Sequence, residues 1–146
     1  MIVVDESICY WVAARTQGSY IPGSGQGIGW VINGETLSGC LFDNFNGNSV
    51  HVALAGVPGK RWLSREFLWF IFYYAFEQLK VKKVIGLVDS TNFEAIKFNE
   101  HIGFIREATL RDAGINGDLH IYTITKSQSR FLERGKNGKS IRTSNT

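Results

Sequence analysis

Basic side chains and glycines cluster in the stretch GVPGKRWLSR, which covers residues 56–65 and precedes an apolar segment. Backbone N–H groups at the start of a helix bind phosphate, and nearby basic side chains add charged hydrogen bonds. The basic residues are Lys60, Arg61 and Arg65. Positive charge at a helix N-terminus is unfavourable unless an anion is close. The stretch therefore predicts a phosphate or pyrophosphate site, with a solvated helix start as the alternative.

Two strand–helix units are predicted to position this loop. SVHVALAG, at residues 49–56, is rich in β-branched and small residues and predicts a strand, followed by a helix from about Leu63 to Leu79. KKVIGLVDS predicts a buried strand of the kind found in parallel pairs. TNFEAIKFNEHI predicts a second helix, with Ser90 or Thr91 as its N-cap and Gly103 as its C-terminal stop. Two helix N-termini would then lie on one side of a sheet.

The remaining elements complete a mixed sheet. A short N-terminal helix is predicted, capped by Asp5 or Ser7. The Asn-Gly pair at 33–34 predicts a type I′ hairpin between two strands. Strands are also predicted at residues 104–113 and 119–125, with GINGD joining them as a hairpin. The order helix, three antiparallel strands, helix, strand, helix, two strands predicts an α/β architecture with helices against a mixed sheet.

Several other patterns lack the context that their chemistry requires. GSGQGIG, at residues 23–29, opens a strand instead of a helix, so it predicts a loop and not a dinucleotide site. GKNGKS, at residues 135–140, lacks the first glycine of a phosphate loop, and no helix pattern follows it. No GxSxG motif of a hydrolase is present. Metal-ligand spacing is also missing among His51, His101 and His120, so no metal site is predicted.

Length and composition predict one cytoplasmic domain. A chain of 146 residues that is 44% hydrophobic can bury a single core. The longest apolar run, residues 67–76, is short of the roughly 20 residues that a membrane span needs. No basic segment precedes the first apolar residues, so no signal peptide is expected. Cys9 and Cys40 have no ligand spacing and predict reduced thiols, with a single disulfide as the alternative.

A basic C-terminal segment accounts for the net charge of +3. Residues 134–146 carry four basic side chains and no acidic one, which leaves 12 basic against 13 acidic residues before them. A nearly neutral body argues against a nucleic-acid-binding fold. We therefore predict one domain at residues 1–132 and a disordered tail at 133–146. The tail is interpreted as a solvated end, with weak contact to RNA or an acidic partner as the alternative.

The segment VDSTNFEAIKFNEHIGF carries a distinctive spacing. After a strand come Asn92 and Ala95 as N-x-x-A, then seven residues, then the Gly103-Phe104 pair. This pattern resembles the Gcn5-related N-acetyltransferases, the GNAT family, and the likeness covers about residues 26–132. WLSREF, at residues 62–67, is similar to a short group of bacteriophage-encoded members. The resemblance implies the GNAT fold, in which a mixed, mostly antiparallel sheet is splayed between two parallel strands, and acetyl-CoA as cofactor.

The resemblance also implies roles for individual residues. The strand containing Val52, Ala53 and Leu54 would pair with the pantetheine arm through its backbone, and one of its N–H groups would polarise the thioester carbonyl. Asn92 would hydrogen-bond near the pantetheine, and Phe98 would pack beside the cofactor. The alternatives are that Asn92 is an ordinary residue of a helix start and that Phe98 is core. The pyrophosphate would bind the loop that contains Lys60, Arg61, Ser64 and Arg65.

Two positions depart from the family pattern. Ser64 and Glu66 stand where the family's phosphate loop usually has small glycine-type residues, so the backbone there would approach phosphates less closely. Asn99 stands where many members have a tyrosine that protonates the departing thiolate. An amide cannot supply that proton, although it could hydrogen-bond the sulfur.

The resemblance implies direct attack of an amine on the thioester, which requires a base near the strand at residues 49–56. His51 is the first candidate because its ordinary pKa suits neutral pH, with a sheet-surface histidine as the alternative. Asp89, at the end of a strand, is the second candidate. Tyr122 could replace the missing tyrosine as an acid, with a core or sheet-face tyrosine as the alternative.

Two interpretations of function remain open at the level of sequence. The first is an acetyl-CoA-dependent N-acetyltransferase acting on a protein lysine, a protein N-terminus or a small amine. The second is a GNAT-fold protein that binds a partner and holds acyl-CoA as a structural ligand without turnover. The apolar helix at residues 67–76 could also contribute to a homodimer. A phage-encoded protein would act in the host cytoplasm.

Overall fold

The computed structural model of the chain describes residues 1–16, 18–58 and 64–131. Within these ranges the chain forms seven strands and three α-helices, with a π-helical turn at Tyr74–Gln78 and a 3₁₀ turn at Lys126–Gln128. The main elements are β1 (Ile2–Val4), α1 (Ser7–Ala13), β2 (Gly25–Ile32), β3 (Glu35–Asp43), β4 (Ser49–Gly56), α2 (Arg65–Tyr73), β5 (Lys83–Asp89), α3 (Phe93–His101), β6 (Ile105–Leu110) and β7 (Leu119–Ile124).

The seven strands form one sheet in the order β1-β2-β3-β4-β5-β7-β6. Every neighbouring pair is antiparallel except β4 and β5, which run parallel. The chain crosses from β4 to β5 through α2, as a parallel connection requires. The predicted α/β architecture, with a mixed and mostly antiparallel sheet, is confirmed.

The parallel pair is joined over a short length only. Three residue pairs connect β4 to β5, and the last of them is His51 with Ile85. β4 continues to Gly56 and stays paired with β3, while β5 continues to Asp89 and stays paired with β7. The two strands therefore diverge beyond His51, and a gap opens in the middle of the sheet.

Helix α1 packs on one face of the sheet through glycines. A Cβ atom added at Gly27 would lie 2.5 Å from the carbonyl oxygen of Asp5 and 2.7 Å from the Cβ of Ile8. Gly39 likewise lies directly under the side chains of α1. The prediction of a loop is therefore wrong for residues 25–27, which form the start of β2, where glycine lets the helix approach closely.

Helices α2 and α3 cover the opposite face and bury the main core. Phe67, Phe72 and Tyr122 are among the largest fully buried side chains, and Val52 and Leu54 of β4 pack against this cluster. Successive side chains of a strand point to opposite faces, so Ala53 and Ala55 face α1 instead. The molecule thus has three layers: α1, the sheet, and α2 with α3.

The ends of α2 and α3 show which residues cap and terminate these helices. The Ser64 hydroxyl caps α2 by accepting a hydrogen bond from the N–H of Phe67 at 2.9 Å, so the described helix begins at Arg65. Asn92, not Ser90 or Thr91, caps α3. The predicted stop at Gly103 is confirmed by its φ of +109°, which favours glycine.

Other boundaries differ from the predictions by a few residues. The predicted strands at 104–113 and 119–125 are shorter at their ends, and β1 was not predicted at all. The α-helix predicted to reach Leu79 ends at Tyr73 and gives way to the π-helical turn. The type I′ hairpin is confirmed, since Asn33 and Gly34 both have positive φ, at 51° and 78°.

Some predictions fall on residues outside the described ranges. Lys60 and Arg61 lie there, as do Leu63 and the tail at 133–146. In the described part of the chain, no helix has both the length and the apolar composition required to cross a membrane.

Candidate active-site cleft

The gap between β4 and β5 opens into a cleft of about 450 Å³. Its size falls in the range typical of small-molecule sites. Residues of both faces of the sheet line it, so the cleft passes through the sheet from the α3 side to the α1 side. The divergence of two parallel strands has thus created an opening that neither strand's side chains fill.

The backbone of β4 presents hydrogen-bonding groups to this gap. The N–H of Val57 donates to the carbonyl oxygen of Leu37 on the β3 side. Because main-chain groups point alternately to the two sides of a strand, those of Ala53 and Ala55 also point to β3. Those of Leu54 and Gly56 point to the gap, beyond the last residue pair with β5. A ligand in the gap could pair with them as a strand would.

This alternation corrects the part predicted for Ala53. The strand predicted to bind the cofactor is the one that borders the cleft, but the backbone of Ala53 is engaged with Leu41 of β3. Only its methyl group lines the cleft, on the α1 side. The backbone groups available to a ligand belong to the even-numbered positions, and Leu54 is the one nearest the middle of the gap.

Helix α3 forms the wall on its side of the cleft. Asn92, Ala95 and Phe98 all line it. The side-chain oxygen of Asn92 accepts from the N–H of Ala95 at 3.2 Å, so this residue caps the helix and borders the cleft at once. The two interpretations of Asn92 offered by the sequence are therefore compatible, since no described residue accepts from its Nδ2.

Asn99 also lines the cleft, one turn after Ala95 on α3. Its Nδ2 donates to the carbonyl oxygen of Ala95 at 2.8 Å. Its Oδ1 lies over Gly86, where an added Cβ would be 3.4 Å away. The oxygen that faces the strand is an acceptor only, so Asn99 cannot provide the proton that a tyrosine would.

The α1 side of the cleft has a different composition. Small and aliphatic side chains dominate its walls, and Arg15 and Thr16 lie at its rim, just after the end of α1. The hairpin between β6 and β7 forms the opposite rim. The aliphatic residues are Ala53, Ala55, Leu87, Ala113, Ile115 and Leu119. Arg15 and this hairpin were not predicted as site residues, because nothing local in their sequence marks them.

Asp89 lines the cleft, but its carboxylate is hydrogen-bonded to the hairpin between β6 and β7. Its carboxylate accepts from the N–H of Asn116 at 2.7 Å, from the N–H of Thr91 at 2.9 Å and from the Thr91 hydroxyl at 2.6 Å. The backbone hydrogen bond from Asn116, followed by those from Thr91, lowers the pKa of Asp89 to about 2. A carboxylate so stabilised is a weak base, which argues against the catalytic role predicted for it.

Replacing Asp89 with asparagine is expected to destabilise the protein at neutral pH, because one accepting oxygen is exchanged for a donor. The pKa of the folded state is about 2, below the ordinary value of 3.8. The stabilisation is therefore complete well above pH 4 and is lost as pH falls towards 2. Urea unfolding of wild type and Asp89→Asn at pH 7, 5 and 3 should show midpoints that converge at low pH.

The matched control for this experiment is Asp112→Asn in the same hairpin. Asp112 is exposed and has a φ of 57°, a conformation that asparagine tolerates. Its midpoint should stay close to that of wild type at all three pH values. Equal effects of the two substitutions would contradict the role assigned to the Asp89 carboxylate.

The other two predicted catalytic side chains are not among the residues that line the cleft. His51 lies where the strands are still paired, on the α1 face of β4. Tyr122 is fully buried under α3, and its hydroxyl donates to a carboxylate oxygen of Glu100 at 2.8 Å. Burial, together with this hydrogen bond, raises the pKa of Tyr122. The structure therefore places Tyr122 in the core, which is the alternative offered for this residue.

The N-terminus of α2 lies outside the cleft lining. The hydroxyl of Ser64 is occupied by its cap hydrogen bond, whereas Arg65 is exposed. Glu66 adds an acidic side chain to the first turn. The described ranges contain no cluster of histidine, cysteine, aspartate or glutamate that could hold a metal ion.

Comparison with known proteins gives a likeness in structure only. No protein-family model and no curated protein sequence matches the chain. Mutant forms of the spermidine/spermine N-acetyltransferase SpeG from Vibrio cholerae superpose with a TM-score of 0.70 at 14% identity, over 92% of this chain and 99% of that one. The Campylobacter jejuni N-acetyltransferase PseH, in complex with acetyl coenzyme A, gives 0.58 at 20% identity, over 71% and 70%. The chain therefore has the fold of these N-acetyltransferases.

Proposed function

We propose that the protein is an acetyl-CoA-dependent N-acetyltransferase that transfers an acetyl group to a primary amine. The observation that carries this proposal is the cleft through the sheet, bordered by the backbone of Leu54 and Gly56 and by the N-terminus of α3. The fold shared with SpeG and PseH supports it, because PseH binds acetyl coenzyme A. Acetyl-CoA would supply the activated acyl group.

The residues present fit the arm of such a cofactor. The pantetheine arm contains amides, and the N–H and C=O groups of Leu54 and Gly56 would pair with them as an added strand does. The Nδ2 of Asn92 would donate to the same arm, while Ala95 and Phe98 would pack against its apolar parts. Arg65, at the start of α2, would contribute charge towards the phosphates, and Lys60 and Arg61 are proposed for the same role.

The acetyl-accepting amine would enter from the α1 side. The N–H of Leu54 would stabilise the negative charge that develops on the thioester oxygen. Charged side chains that line the cleft are limited, among the described residues, to Arg15, Asp89 and Glu94. Because Asp89 is a weak base, the amine would reach the cleft neutral or lose its proton to water.

One observation favours the second interpretation, binding without turnover. Neither Asn99 nor any other described residue that lines the cleft is a tyrosine or histidine placed to transfer a proton. General acid–base catalysis typically contributes about 10² to 10⁴ in rate, so its absence would leave a slow enzyme. In that case the cofactor would act as a structural ligand of a partner-binding protein.

Calorimetric titration with acetyl-CoA, followed by an assay of thiol release on a panel of amines, distinguishes these functions. The proposed enzyme binds acetyl-CoA and releases free CoA only when an amine is present. Desulfo-CoA should bind but support no turnover. Binding of acetyl-CoA without amine-dependent thiol release would favour the partner-binding function, and no binding of either compound would refute both.

A further inference from the structure

We infer that the amine substrate carries an anionic group, a carboxylate or a phosphate, which Arg15 binds at the α1-side rim of the cleft. This inference rests on the proposed function and specifies its acceptor. It concerns a residue that borders the half of the cleft opposite to the proposed cofactor wall. Its basis is the fixed position of the guanidinium, the charges around it and the aliphatic walls beneath it.

The Arg15 guanidinium is held by two contacts. Its carbon lies 3.9 Å from the centre of the Trp11 ring, and its Nη1 donates to the carbonyl oxygen of Trp11 at 3.1 Å. Trp11 itself packs over Gly39, where an added Cβ would lie 3.1 Å from the indole. Stacking on an aromatic ring pre-organises a guanidinium, so less entropy is lost when it binds an anion.

The contacts with Trp11 leave most of the guanidinium available. Of its five N–H donors, one is used by the carbonyl oxygen of Trp11. In the described ranges no carboxylate forms an ion pair with Arg15. The remaining donors form a planar fork that suits a carboxylate or phosphate, which can accept two parallel hydrogen bonds.

The position of Arg15 at the rim disfavours a second ammonium group placed beside it. Arg15 and Asp89 are the charged lining residues of this half of the cleft among those described, and the Asp89 carboxylate already accepts three hydrogen bonds. Glu94 lies on the α3 side, where the cofactor would bind. A diamine that placed its distal charge at this rim would bring it towards the Arg15 guanidinium, which has no ion-pair partner among the described carboxylates.

The walls between Arg15 and the gap suit a methylene chain. Ala53, Ala55 and Leu87 line this half together with Ile115 of the hairpin, a residue that is 68% exposed. Covering such side chains with a hydrocarbon segment is favourable. The substrate would place its amine at the gap, its aliphatic segment along the walls and its anion at Arg15. An ω-amino acid or an aminoalkyl phosphate has these three parts in this order.

The test measures binding of two matched series to the desulfo-CoA complex and to the protein alone by calorimetry. One series contains ω-amino acids from glycine to 6-aminohexanoate, and the other contains diamines of the same chain lengths. The best amino acid should bind at least about tenfold more tightly than its matching diamine, as expected for a charged hydrogen bond. Aminoalkyl phosphates in a third series assign the anion to carboxylate or phosphate.

Arg15→Glu should abolish this preference or reverse it, whereas Arg15→Lys should retain part of it. Lys82→Glu, the same charge change at an exposed site before β5, should leave the preference unchanged. Equal or tighter binding of diamines to wild type would overturn the inference, as would a preference that survives Arg15→Glu. Failure of acetyl-CoA and desulfo-CoA to bind would instead refute the proposed function, and the series on the protein alone would still decide the role of Arg15.

Discussion

Ala95→Trp is expected to weaken acetyl-CoA binding by about 100-fold or more, which is about 2.7 kcal/mol. Ala95 lines the cleft from α3, on the wall proposed for the pantetheine arm. An indole at this position would occupy the space that the arm needs. The substitution keeps the N–H of Ala95 that Asn92 caps, so the helix start should remain intact. Calorimetric titration of the purified variant measures the effect.

Lys97→Trp provides the matched control on the same helix. Lys97 is exposed and does not line the cleft, so a tryptophan there adds the same bulk away from the proposed site. Its affinity for acetyl-CoA should stay within about threefold of wild type. Circular dichroism and the thermal midpoint should show both variants folded. If folded Ala95→Trp bound acetyl-CoA as tightly as wild type, α3 would not border the cofactor site.

Gly27→Ala is expected to lower the free energy of unfolding by about 3 kcal/mol, at the upper end of the range for overpacking. The added methyl group would lie 2.5 Å from the carbonyl oxygen of Asp5 and 2.9 Å from the backbone nitrogen of Cys9. Both atoms belong to the backbone at the start of α1, so no side-chain rotation relieves the clash. Urea unfolding, with the same slope assumed for both proteins, measures the change.

Gly18→Ala is the control for the glycine substitution. The nearest atom to its added Cβ, outside its chain neighbours, is the Thr16 hydroxyl oxygen at 3.4 Å, and its φ is not in the left-handed region. Its free energy of unfolding should change by less than about 1 kcal/mol. A Gly27→Ala variant as stable as wild type would show that α1 does not depend on the close approach.

The parts of the fold that follow from short-range patterns could be predicted from the sequence. Asn33-Gly34 specifies its hairpin locally, and Gly103 ends α3 because few other residues adopt its φ. The apolar run of β5 indicates a strand with a parallel neighbour, which is β4. These signals were sufficient for the α/β class, whereas the cofactor wall on α3 was predicted only from the resemblance to a family.

The parts that depend on distant contacts could not be predicted. β1 is only three residues long and pairs with residues near Trp30, so no local pattern marks it. The glycines at 25 and 27 indicate a loop until the helix that packs on this strand is known. The role of Asp89 depends on Asn116, 27 residues away. The role of Arg15 depends on the cleft, which is formed by strands distant from it in the sequence.

Amide hydrogen exchange with and without saturating acetyl-CoA tests the central claim most directly, because the claim concerns specific backbone groups. The N–H groups of Leu54 and Gly56 should exchange more slowly in the complex, since they would become paired in the gap between β4 and β5. The N–H of Ile28, in the middle of β2, should be unaffected. Saturation by acetyl-CoA without added protection at Leu54 and Gly56 would place the cofactor elsewhere and contradict the proposed site.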